Sequence, residues 1–532
     1  MTQSHESSGN GSLSRRAFVA GSLAGGAALA LAGAAGAAPG SVRSPRAARF
    51  QDDGPELIVG HHVDPTGLDL LTDTTAAFQS VSAQIVEQFI VFDTESLAPT
   101  AWLADSFQWV DDLTLEIKLK PGITFTNGEP LDSASAKFSI DTLMASPSYS
   151  FFMKEGVYKE TAVVDDLTVN CLLNEPYAPL LSVLARGGAA VPPVYYQEVG
   201  TEGFGQKPIG TGPFTLDDWA KDDHITLLRN PEYWNGAHAL GKVTFRIYPE
   251  ETSRLAALQA GEIDLALSLP ISGIRQIEST DGLQAISTPG LRKFAMFFDT
   301  KVADAATMSD VRVRKAMNMA VDKVAIVESL LEGAGAPLQG QWQTDGEPGF
   351  NPDIAMIEYD PDGAKALLAE AGFPDGFEFQ LTYTVGRYPQ DKEIGEIVAS
   401  YLEQIGLKVN QRPLEYGAFS TARDEGSMGT HQWGLLYPPD AVFNFRTFVH
   451  GSPYEFHALP DRFTEVVNDA SQATDPAVQA PLFAEAAQIM SDEVPLLFFH
   501  VPYDNYGVST KVQGFTPRRD QVLWLFGVSK NA

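Results

Sequence analysis

A chain of 532 residues is too long for one hydrophobic core and should divide into two or three domains, and its 44% hydrophobic content is that of an ordinary globular protein. With 68 acidic against 37 basic side chains the formal net charge is −31. Such a surface repels phosphate backbones and anionic lipid, which argues against binding nucleic acid or a membrane surface.

At the N-terminus, Ser14-Arg15-Arg16-Ala17-Phe18-Val19 fits the twin-arginine export pattern. The uncharged run from Ala17 to Gly40 is mostly Ala and Gly, which suits a signal h-region better than a membrane span. Ala35-Gly36-Ala37 supplies small residues for cleavage, so 1–38 reads as a signal peptide and 39–54 as a tether. An uncleaved leader kept as an anchor is the alternative. Leu31-Ala32-Gly33 is followed by Ala34 and not Cys, which excludes lipid attachment there.

Leu113, Leu115, Ile117 and Leu119 alternate with polar residues, as in a half-buried strand. Pro121-Gly122 then suits a type II turn, Ile123 and Phe125 resume the alternation, and Asn127-Gly128 signals a tight hairpin. Ala136, Ile140, Leu143 and Met144 share one face of a following helix capped by Asp132 or Ser133. The lone cysteine, Cys171, has no disulfide partner and reads as a buried thiol in the strand 168–173. Further on, a helix runs from Glu251 to Ala260 and stops at Gly261. Phe294–Asp299 is an apolar strand, and Ser309 caps a long helix with Ala316, Ala320, Val324, Val327 and Leu331 inside. On that helix Arg312, Arg314 and Lys315 read as a solvated charged face. Helices ending at Gly372 and Gly406 follow.

Several of these blocks follow one another in a distinctive order. They are Leu103-Ala104-Asp105-Ser106-Phe107, Asn127-Gly128-Glu129-Pro130-Leu131, Pro208-Ile209-Gly210-Thr211-Gly212-Pro213-Phe214 and Arg229-Asn230-Pro231-Glu232-Tyr233-Trp234, then Ala257–Asp264, Asp310–Ala316 and Tyr359–Phe373. In this order they resemble the family 5 extracellular solute-binding proteins of oligopeptide, dipeptide and nickel ABC importers. The resemblance implies an α/β fold of the large type II periplasmic-binding-protein class: two lobes closing on a hinge, with an extra subdomain. It places lobe I at 55–75, 191–292 and 502–532, the extra subdomain at 76–190 and lobe II at 294–499. It also implies capture of a peptide-like or other small polar solute by a monomer, delivery to a membrane permease with its ATPase, and no cofactor.

The resemblance breaks at the ligand. Peptide-binding members carry W-x-A-D-Y-P-D-P, whose first Asp pairs the ligand's α-amino group. Here Trp433-Gly434-Leu435-Leu436-Tyr437-Pro438-Pro439-Asp440 puts Leu436 at that place, and leucine cannot neutralise an ammonium. Asp440 could substitute by a shifted loop; otherwise amino-blocked peptides, sugars or other neutral solutes are expected. Trp433, Tyr437 and Phe445 could stack on a sugar ring or apolar side chain, with Asn444 hydrogen-bonding. His431, Trp342 and Tyr383 are candidates of the same sort, and placement of these side chains in the core is the competing reading.

Enzyme chemistry finds little footing. H-E-x-x-H, H-x-x-E-H, G-x-S-x-G and Walker patterns are missing from the sequence. His61 and His62 are adjacent, so on a strand they would face opposite ways and not share a metal. No metal or catalytic residue is therefore expected. A secreted enzyme and a sensory receptor remain the alternative readings.

Overall fold

Leu115, Ile117 and Leu119 are buried on one side of the strand Thr114–Leu119, which pairs antiparallel with Ala104–Asp111 so that Phe107 faces Ile117 and Trp109 faces Leu115. Gly122 and Gly128 take the positive φ values of +78° and +90° that their turns require. Asp132 caps the next helix, Ser133–Ala145, by accepting from Ser135 N, and buries Ala136, Ile140 and Leu143. Cys171 is buried in Thr168–Leu173, in a four-stranded sheet with the hairpin and Tyr158–Asp165. Burial pushes its thiol up to about 12, so it stays protonated.

The computed structural model describes residues 54–531 apart from Thr74 and Val302–Asp304. The signal segment and all of the tether except Gly54 lie outside the described residues.

A twelve-stranded mixed sheet spans both lobes. Its path runs Lys408–Glu415, Glu378–Val385, Thr430–Leu435, Lys293–Phe297, Leu496–Ser509, Leu265–Ala266, Glu56–His61, Lys242–Ile247, His224–Arg229, Phe214–Ala220. The long strand Leu496–Ser509 belongs to both halves. Its first residues pair with Lys293–Phe297, and Tyr503–Ser509 pair with Leu283–Pro289. Separate cores follow from this division: one joins Leu57, Phe89 and Phe214 to Leu525, and two others fill the far half. Of these two, one lies beneath helix Asp391–Gln404, and the other is aromatic, around Phe297, Trp342 and Phe463.

Contacts also join the halves away from the strand. Ser182 Oγ donates to Asp440 Oδ2 at 2.5 Å, Arg446 Nη1 donates to Tyr177 OH at 3.1 Å, and Phe152 meets Phe443 edge-on at 5.3 Å.

Three local expectations fail. The long helix from Ser309 is two helices, Val311–Met319 and Lys323–Ser329, because Asp310 and Asp322 each offer a carboxylate to cap a new N-terminus. Val324 is accordingly exposed. Arg314, expected in solvent, is buried: its guanidinium donates to the carbonyls of Met308, Ser309, Glu493 and Val494. His61 and His62 do not diverge, because the strand Glu56–His61 ends between them and their rings stack 5.1 Å apart.

Candidate functional site

A cleft of about 460 Å³ opens where the two halves meet. Strand Glu56–His61 leads into His61 and His62, helix Ala76–Ser82 contributes Ala76, Ala77 and Ser80, and Phe152 and Arg186, the latter on helix Leu180–Gly187, complete this wall. Facing them are Arg387, Tyr388 and Tyr416, and the run Trp433–Tyr437 at the C-terminal end of strand Thr430–Leu435. Arg292 and Asp504 lie at the crossing itself.

The sign of this cleft is opposite to that of the chain. Among the described residues, three arginines and a single carboxylate, that of Asp504, line it. The Arg292 guanidinium lies 5.4 Å from the centre of the Tyr388 ring, and Arg387 lies 5.5 Å from the same ring and 4.6 Å from that of Tyr416. Neither guanidinium makes an ion pair within 4.0 Å among the described residues. Arg186 sits over Phe152 at 5.6 Å. Burial lowers the pKa of both Arg186 and Arg292 from the ordinary value, but a guanidinium so shifted remains a cation at pH 7. Burial also pushes His61 down to about 4 and His62 to about 3, so both are neutral at pH 7. His61 Nδ1–H donates to Val63 O at 2.7 Å.

The loop that carries Arg387 and Tyr388 is organised by one buried carboxylate. Asp391 Oδ1 accepts from the backbone N–H of Gly386 and Lys392, and Oδ2 from those of Arg387 and Tyr388, all at 2.9–3.1 Å. Tyr388 OH then donates to Gly434 O at 3.1 Å, which ties this loop to the opposite strand end.

This architecture has known counterparts. A family model described as bacterial extracellular solute-binding proteins, family 5 middle, matches residues 98–456, more than half of the chain. The chain belongs to the family 5 bacterial extracellular solute-binding proteins. Heme-binding protein A of Haemophilus influenzae is 27% identical over 491 residues, covering 85% of this chain and 88% of that one. Glutathione-binding protein GsiB of Escherichia coli O1:K1 / APEC is 26% identical over 471 residues, covering 83% and 88%. The solved structure of HbpA2 from Haemophilus parasuis superposes with a TM-score of 0.81 at 24% identity, covering 90% of this chain and all of that one. This family 5 protein is thus the two-lobed substrate-binding component of an ABC importer.

Among the family 5 chain's sequence-derived candidates, Trp433 and Tyr437 line the cleft, and Tyr437 stacks on Phe151 at 5.6 Å and 7°. Leu436 lines it too. The other candidates lie elsewhere. His431 is sealed in the aromatic core between Phe297 and Phe456, and Trp342 packs on Phe448 in the same core. Phe445 packs on Phe463 and Phe483. Tyr383 is buried, with its hydroxyl donating to Gln411 Oε1 at 2.8 Å. Asn444 is held by Lys293 and by the carbonyls of Pro438 and Asp440. Asp440 caps helix Ala441–Arg446 and accepts from Ser182, so its carboxylate is spent on fold contacts.

Sequence reasoning missed Arg186, Arg292, Arg387, Tyr388, Tyr416 and Asp504. One signal was available: Gly386-Arg387-Tyr388-Pro389-Gln390-Asp391 is a turn sequence between a strand and a helix, where loops carry binding residues.

Proposed function

We propose that the captured solute is a small, net-anionic, peptide-like molecule, taken between the lobes and handed to a membrane permease driven by a separate ATPase. The observation that carries this reading is the pair Arg292 and Arg387: two cleft guanidiniums that make no ion pair within 4.0 Å among the described residues, in a chain where acids outnumber bases 68 to 37. Two such cations held side by side repel each other, and a ligand bearing carboxylates relieves that. Each guanidinium–carboxylate contact contributes about 1.5–3 kcal/mol when water is excluded. Tyr388, Tyr416, Trp433 and Tyr437 provide flat apolar walls for the rest of the solute. Glutathione, named for one relative, belongs to this chemical class, with two carboxylates and one ammonium on a tripeptide frame.

Capture follows from differential affinity. A ligand that touches Arg387 on one lobe and the lobe I wall together binds the closed form better than the open one, and shifts the population by that difference. No catalytic step is assigned to the chain. Export by the twin-arginine route, without lipid attachment and as a monomer, completes the reading; it rests on Arg15, Arg16 and the run up to Ala37.

Isothermal titration of the leaderless protein with acidic tripeptides, neutral tripeptides and maltotriose tests the ligand class. Acidic peptides are expected to bind at least about tenfold tighter than neutral ones. Preferential binding of the neutral peptide or of the sugar would overturn the proposal.

A further inference from the structure

We propose that Asp504 receives the ligand's ammonium group and that, with Arg292, it forms a clamp for an α-amino-acid head group at the crossing between the lobes. This rests on the anionic, peptide-like reading above and narrows it.

The long strand sets the position. Thr288 pairs with Asp504 and Pro289 with Tyr503, after which Gly290 and Leu291 lead directly to Arg292. Asp504 and Arg292 therefore come from the two adjacent chain segments that pass between the lobes. A Cβ at residue 290 would stand 2.9 Å from Asp504 Oδ2, so a side chain there would crowd the carboxylate.

The carboxylate is oriented but half satisfied. Gln521 Nε2 donates to Oδ1 at 2.6 Å, while Oδ2, screened from water, has no hydrogen-bond partner among the described residues. A buried carboxylate oxygen left in this state is unfavourable, and a donor that reaches it gains the whole of that penalty back. Burial raises the pKa of Asp504 to about 7; Gln521 and Arg292 pull it down, and Asp520 pushes it up. The unpaired Oδ2 has room for a further donor, and an ammonium brings three N–H donors. Asp504 is the one carboxylate of the cleft lining among the described residues, and Leu436 offers none from the opposite lobe. The ammonium is thus read from the crossing strand, and a free amino group is accepted in spite of Leu436.

The neighbouring arginine adds a selection. Arg292 beside Asp504 fits an ammonium and a carboxylate borne on one carbon. A γ-linked glutamyl residue presents that pair, whereas an ordinary α-peptide separates its amino terminus from any α-carboxylate by the peptide bond. Arg387, in the other lobe, is left for a second carboxylate.

Three synthetic probes test this on the leaderless protein by titration calorimetry: γ-glutamyl-alanine, α-glutamyl-alanine and N-acetyl-γ-glutamyl-alanine. The γ-linked free amine is expected to bind about tenfold or more tighter than either of the others. Asp504→Asn keeps the shape and should bring free and acetylated forms within about twofold. Asp504→Ser, with circular-dichroism melting of both variants, separates a lost clamp from a lost fold. A wild-type protein that binds all three probes equally, or an Asp504→Asn protein that keeps the full preference for the free amine, overturns the clamp and leaves the anionic reading standing. Failure of all three probes and of every acidic tripeptide overturns both.

Discussion

Two sets of arginines in this protein do opposite things, one buried inside the lobes and one lining the cleft, where Arg387 is exposed. Arg254 and Arg314 lie in the lobe interiors with their guanidiniums saturated. Arg254 donates to the carbonyls of Tyr248, Pro249, Leu267 and Ser268, and Arg314 to those of Met308, Ser309, Glu493 and Val494. Arg292 and Arg387, at the cleft, rest on aromatic faces and make no ion pair among the described residues. Burial therefore does not mark a binding residue. What marks it is donor capacity that the fold leaves unmet, because a fold that buries a charge for its own purposes also supplies the partners.

The largest effect should come from breaking the saturated set. Arg314→Met keeps the apolar stem but strands four carbonyl oxygens, two of them at the end of helix Pro476–Glu493. A loss of about 3 kcal/mol or more is expected in chemical denaturation. Ligand affinity of the protein that remains folded should be unchanged. A variant as stable as wild type would mean that water replaces the guanidinium at no cost.

The same division extends to the histidines and gives the pH dependence. His431 is enclosed by Phe297 and Phe456, and burial pushes its pKa from 6.5 down to about 4. A depressed pKa means that the unfolded chain takes the proton first. The stability contribution is complete above pH 6.5 and is lost as pH falls from there through about 4. His61 and His457, also near 4, and His62 and His500, near 3, act in the same direction for the same reason. Wild type should thus lose stability steadily between pH 6.5 and 4. His431→Phe should flatten that slope by an amount of order 3 kcal/mol across the interval, read from denaturation midpoints at each pH. An unchanged slope would show that the imidazole is hydrated.

Removing an unsaturated arginine should do the reverse of Arg314→Met. Arg292→Ala and Arg387→Ala are each expected to lower affinity for an acidic tripeptide by about 10- to 100-fold while the ligand-free melting temperature holds or rises. Arg387→Lys should recover only part of the affinity, since an ammonium lacks the planar fork that pairs a carboxylate twice. Unchanged binding in both alanine variants would remove the basis for an anionic ligand.

How far each region could be read from sequence follows the same line. The hairpin 104–119 and the capped helix Ser133–Ala145 were legible, because alternation, Pro-Gly and Asn-Gly turns and an Asp cap act within a few residues. Trp433 and Tyr437 were legible from a local motif. Arg314 was misread, since its neighbours Arg312 and Lys315 are surface residues and its carbonyl partners at Glu493 and Val494 lie about 180 positions away. Phe445, Trp342 and His431 looked like cleft aromatics because residue type cannot separate a ligand wall from a core built of the same rings. Arg292 and Asp504 meet only through the pairing of strands more than 200 residues apart, which no local pattern encodes.

The smallest effect is also the most specific, because it separates placing a charge from having one. Asp391 touches no cleft surface, yet its two carboxylate oxygens hold the backbone donors of Gly386, Arg387, Tyr388 and Lys392. Asp391→Asn replaces one acceptor by an amide that faces N–H groups, so the loop should relax and affinity should fall by about three- to tenfold. Lost placement and a general loss of fold both weaken binding, but only lost placement depends on Arg387. In a double-mutant cycle, Asp391→Asn should therefore cost little further affinity once Arg387 is alanine. Full additivity of the two changes would instead make Asp391 a plain stabiliser of helix Asp391–Gln404, and Arg387 would then owe its position to Tyr388 and Tyr416 alone.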